Sequence, residues 1–138
     1  MVDHSAMCCL FAEALLDVGH PGAEEFVDQA AGFAEDSGEL YAECEIHRLR
    51  ARLLRRADAP VEASDDRLRQ ALDLAGVRGM RWHALRAATD LAAELIGQKR
   101  HAEAHDLLEP RCAAIDGGDG LGAVRRAREL LDRFRDGR

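Results

Sequence analysis

At 138 residues the chain has the length of one ordinary domain, able to bury roughly two-thirds of the surface its unfolded form exposes. Its 47% hydrophobic share is rich in Ala and Leu, with four Phe, one Tyr and one Trp as the only aromatics, which excludes a sheet-based core and favours helices packed through small side chains. Net charge is -7 and no apolar run outside a short stretch at 8–11 exceeds a few residues, so a signal peptide and a membrane-spanning helix are excluded and a cytoplasmic protein is expected.

Taken in chain order, a first helix is predicted over 5–18 behind Ser5 as N-cap, ended by "GHPG" at 19–22. A second covers 22–36 with Phe26, Ala30 and Phe33 on one stripe, and "SG" at 37–38 breaks the chain. The third runs from about 39 to 57 and stops before Pro60, with Leu49 and Leu53 as core positions; the fourth, about 61–77, carries Leu68, Leu72 and Ala75. After Gly79 a fifth helix is expected over 80–96 and a sixth over 99–115, with Pro110 as a kink or early stop. "DGGDG" at 116–120 reads as a loop, and the seventh helix, about 121–136, places Leu121, Val124, Ala127, Leu131 and Phe134 on one side.

The breaks repeat. Gly38 and Gly79 are 41 residues apart, as are Tyr41 and Trp82 and the "EA" pairs ending at Ala63 and Ala104. Helix pairs at about 1–38, 39–79 and 80–116, joined by short antiparallel connections and closed by a capping helix, describe an all-α solenoid in a single domain over 1–138.

"EIHRLRARLL" (45–54), "RLRQALDLA" (67–75), "RWHALRAATDLAAEL" (81–95) and "KRHAEAHDLLEP" (99–110) follow one another in an order that resembles a known family. The segments resemble the tetratricopeptide-like repeats at the C-terminal end of bacterial LuxR-type ATP-dependent regulators and class III adenylate cyclases, over about 37–135. Ala51 stands where that family usually has Gly, and Asp66 with Arg67 departs from its small and aromatic positions. The resemblance implies a tetratricopeptide-like scaffold or sensor in a signalling or transcription regulator, linked to an NTPase or cyclase module in a longer parent chain. It supplies no catalytic residue.

Chemistry-bearing residues are few. Cys44 and His47 share a helix face at i and i+3, but zinc takes three or four ligands and nothing fixes a third nearby. Leu40, Cys44, His47, Ala51 and Leu54 instead follow a core-facing period, which puts His47 in a seam between helices, bonded to a carbonyl or an acidic neighbour. In "HAEAH" (101–105) the Glu does not follow the first His as the zinc-protease motif requires, so His101 and an exposed His105 read as a surface pair. "GGDGLG" (117–122) lacks the preceding strand and the following Lys of a phosphate loop. Ser5, Ser37, Ser64 and Thr89 sit in no nucleophile motif, and the carboxylate pairs Glu24–Glu25, Glu35–Asp36 and Asp65–Asp66 diverge on a helix. Cys8, Cys9, Cys44 and Cys112 read as reduced core thiols.

The expectation is a non-enzymatic interaction module without cofactor or metal, using a concave surface lined by the first helix of each pair. Its candidate residues are His47, Arg50, Trp82, Arg86 and Asp90. Small-molecule or metal binding at this inner surface stays open. So does self-association, since residues 1–47 hold eleven acidic residues and no Lys or Arg, while the remainder holds nineteen basic against fifteen acidic. The partner is then a protein or a second copy; acidity and the lack of stacking aromatics argue against nucleic acid.

Overall fold

The computed structural model describes residues 4–38, 40–115 and 122–135, and it is all-α. Seven helices follow one another: α1 (His4–Asp17), α2 (Ala23–Ser37), α3 (Leu40–Arg56), α4 (Val61–Arg78), α5 (Arg81–Gly97), α6 (His101–Ala113) and α7 (Gly122–Arg135). Each lies within two residues of its predicted bounds, because Gly and Pro punctuate an Ala- and Leu-rich chain that is otherwise strongly helix-forming. The loop expected at 116–120 and the side chains of Leu40, Tyr41 and Phe134 lie outside the described residues. α6 does not stop at Pro110; it continues to Ala113, and the Arg111 guanidinium donates to the Leu107 carbonyl at 2.7 Å. Among the described residues no helix is long and apolar enough to cross a membrane.

The chain divides into two compact units, Met1–Leu74 and Ala75–Arg138. In the first, Cys8, Cys9, Ala12 and Leu16 of α1 meet Ala23, Val27, Ala30 and Ala34 of α2, and Ala42, Ile46 and Leu49 of α3. Small side chains at this seam let the helix backbones approach closely, so dispersion contacts between many small groups replace the few large ones of an aromatic core. Phe33 is the exception to the predicted α2 stripe: it is 41% exposed and stacks on His4. α3 is joined to α4 by the Cys44 thiol, which donates to the Ala71 carbonyl at 3.3 Å beside the buried Leu68 and Leu72. All four cysteines are buried thiols with no disulfide between them, and burial raises the Cys8 thiol above its ordinary value.

Charge fixes the register of α3 on α1. Arg48 is buried and pairs with Glu13 of α1 and with Glu45 one turn before it, and Arg52 reaches Asp17 at 2.9 Å. Arg56 donates at 2.8 Å to the carbonyls of Gly19 and His20, which the end of α1 leaves without helical partners. Residues four apart on α3 therefore meet positions advancing in the same direction along α1, so the two helices run parallel. Arg50 meanwhile pairs with Asp28 of α2 at 3.2 Å. Glu13, Asp17 and Asp28 of the acidic first third thus find counter-charges on α3 of the same unit.

Helix ends are closed by one recurring device. At α1 the His20 N–H reaches back to the Leu15 carbonyl across Gly19, and at α4 the Met80 N–H reaches the Ala75 carbonyl across Gly79. The φ values of +74° and +66° at these two glycines are ones a side chain rarely tolerates.

The second unit is built around α5, whose Leu85, Ala87, Ala88, Leu91, Ala92 and Leu95 are buried. Ala104, Leu108 and Cys112 of α6 and Val124, Ala127 and Leu130 of α7 complete its core. α7 turns one apolar side inward and keeps Arg125, Arg128 and Arg133 exposed. Arg126 reaches the buried Asp90 carboxylate at 2.9 Å. α5, α6 and α7 pack pairwise on one another, as α1, α2 and α3 do in the first unit.

Candidate functional site

The first unit contains a groove of about 460 Å³ lined by Pro21, Glu24, Arg50, Leu53, Leu54, Arg56, Ala57 and Arg67. Its floor is a face of α3, where Arg50, Leu53, Leu54 and Ala57 recur at helical spacing. One wall is the α1–α2 turn, closed by a 2.9 Å hydrogen bond from the Gly22 N–H to His20 Nδ1, which sets Pro21 and Glu24 at the rim. The other is Arg67 of α4. Leu53 is partly buried: it packs against the core of the first unit, as its predicted core role requires, and its remaining surface lines this groove.

His47 adjoins the site through Arg67, whose Nη1 lies 3.2 Å from His47 Nδ1. The expected carbonyl or acidic partner is replaced by a cation. A guanidinium only donates, so Nδ1 is the acceptor and His47 is neutral with its proton on Nε2. Burial first, then the positive charge of Arg67, holds its pKa below the ordinary 6.5; Glu43 opposes this and Arg50 adds to it. The unfolded chain therefore takes up this proton more readily than the folded one. Stability contributed by neutral His47 is complete above about pH 6.5 and is lost as pH falls through that value toward the lower folded pKa. Thermal melts between roughly pH 7 and pH 5 should show the loss, and His47→Gln, which keeps an acceptor for Arg67, should flatten it.

His47 and Arg50 are thus brought to one cluster. Trp82, Arg86 and Asp90 belong to the second unit, four residues apart along one face of α5. Trp82 and Arg86 are half-buried, whereas Asp90 is buried and held by Arg126, so it anchors α7 and offers no open surface to a ligand. His105, expected exposed, is partly buried, with Nε2 2.7 Å from Glu109 Oε2. His101 faces a small gap lined also by Ala92, Ile96, Leu108 and Leu130. Among the described residues no group of three or more His, Cys, Asp or Glu is placed to share a metal ion.

Sequence reading missed Arg56, Arg67 and Glu24 as neighbours of Arg50. The available signal was a second stripe on α3, Arg50–Leu53–Ala57, which borders the Cys44 stripe at Leu54 and carries a charge at one end.

No family model, curated protein or solved structure matches this chain. The site must be read from its own chemistry: apolar floor, three guanidiniums and one carboxylate.

Proposed function

We propose that this chain is a non-enzymatic interaction or sensory module with a tetratricopeptide-like superhelical arrangement, belonging to a bacterial signalling or transcription regulator in the cytoplasm, and that a partner protein docks on the outward side of α1. The observation that carries this reading is the exposure of Met7 (45%), Leu10 (67%) and Phe11 (52%), the last also touching Phe26 of α2, at helical spacing on α1, continued by Val18 (77%) just past its end. α1 buries its other side on α2 and α3, so it is apolar nearly all round, the pattern of a helix meant to be covered on both faces. The outer side of α7 is polar, with Arg125, Arg128 and Arg133 exposed, whereas that of α1 is apolar.

The parallel course of α1 and α3, with α2 returning between them, supports the repeat reading, because first helices of successive pairs run parallel in such scaffolds. The sequence resemblance supports a linked NTPase or cyclase module in a longer parent chain. Self-association of the acidic third with the Arg-rich remainder has less support, since Glu13, Asp17 and Asp28 already face arginines of α3.

Leu10→Asp tests the reading. It should leave the unfolding midpoint within about 0.5 kcal/mol of the parent, as expected of an exposed position. It should also abolish retention of the partner that the unaltered chain holds on a column. Equal retention by both would contradict docking on α1.

A further inference from the structure

We propose that the groove of the first unit binds a small organic anion, a carboxylate or phosphate ester carried on an apolar body. Arg50, Arg56 and Arg67 all line it, and guanidinium forks match the paired oxygens of both anions. Arg50 has only a counter-ion that is 60% exposed, Asp28, a pair that solvent screens heavily. Arg56 donates to two carbonyls and Arg67 to an imidazole, and among the described residues neither has a carboxylate within ion-pairing distance. Two cations that contact only neutral acceptors, at the edge of one concavity, leave a local positive field. Elsewhere in this unit Arg48 and Arg52 each face a carboxylate.

The apolar body is called for by the floor. Leu53, Leu54, Ala57 and Pro21 supply a surface that a bare inorganic ion leaves wet, and about 460 Å³ falls in the range of small-molecule sites. Glu24 also lines the groove, beside the turn whose carbonyls hold Arg56, and repels an anion from that end, so the anionic group sits toward Arg67 with the body over the leucines. The neutral state of His47 belongs to the same design, because its lone pair orients the Arg67 guanidinium without cancelling its charge.

The test uses the full chain with phenyl phosphate, benzoate and inorganic phosphate as probes in titration calorimetry. Saturable binding of phenyl phosphate or benzoate, tighter than that of inorganic phosphate, is expected, and the tighter of the two organic probes tells a phosphate ester from a carboxylic acid. Arg67→Gln and Arg56→Gln should each weaken it by about tenfold, the effect of removing one charged hydrogen bond. Glu24→Gln should tighten it, an opposite sign that damage to the fold does not produce. Absence of saturation with every probe, or affinities unmoved by both Arg67→Gln and Glu24→Gln, would overturn the assignment. Either result leaves the docking role of α1 to be judged on its own test.

Discussion

Arg48→Met should lower the unfolding free energy by about 3 kcal/mol, read as a shift in the urea midpoint at unchanged slope. Arg48 is the most deeply buried cation of the first unit, its side chain 5% exposed, and it lies between Glu13 at 24% and Glu45 at 12%. The pair itself need contribute little, because desolvating three charges offsets most of their attraction. Removing only the cation is different. It leaves two half-buried carboxylates facing each other across the α1–α3 seam, and methionine supplies the missing volume but no charge. Adding Glu13→Gln and Glu45→Gln to Arg48→Met should therefore recover most of the loss. A triple variant no more stable than Arg48→Met alone would show that the arginine acts through packing and not through charge.

Leu49→Asp should be more damaging, by more than about 4 kcal/mol, enough to abolish a cooperative helical melt in a domain of ordinary stability. Leu49 is completely buried where α3 meets α1 and α2, so a carboxylate there loses its hydration among apolar side chains. Leu53→Asp is the natural comparison. One turn further along the same helix its side chain packs against the edge of that core but also lines the groove, so the new carboxylate keeps part of its water, and circular dichroism should show a folded protein with a lower midpoint. Equal loss at both positions would mean that the groove side of α3 is closed.

The helices were legible in the sequence because the signals that end them are local. Gly19, Gly38, Gly79 and Pro60 act within a few residues, and the 3.6-residue period of Leu68, Ala71, Leu72 and Ala75 needs no partner to be seen. The Cys44 stripe was equally readable, since a small thiol recurring with Ala51 at helical spacing is core filler wherever the neighbouring helix lies. What was not readable depends on the register between helices. Nothing local says that Arg48, Arg50 and Arg52 diverge to Glu13, Asp28 and Asp17, so which carboxylates of the acidic first third meet a cation within the unit was not readable. The same ignorance hid Arg67 from His47, twenty residues away, and placed Asp90 on a groove when it holds α7.

The apolar character of α1 was visible, but which of its sides would be covered was not. Cys8, Cys9, Ala12 and Leu16 go inward and Met7, Leu10, Phe11 and Val18 outward, a choice made by the fit of small residues to the alanines of α2. Large side chains on the seam would force the helices apart and lose contacts along the whole interface. The helix therefore keeps its bulk for the outside.

The most direct measurement of that role is site-specific photocrosslinking from position 10 of α1, with position 77 of α4, where Val77 is 80% exposed, as the comparison. Docking on α1 predicts that a photoreactive side chain at 10 captures one defined protein in cell extract, that the same probe at 77 does not, and that Val18→Asp suppresses the capture. Capture from 77 as readily as from 10, or capture unaffected by Val18→Asp, would contradict it.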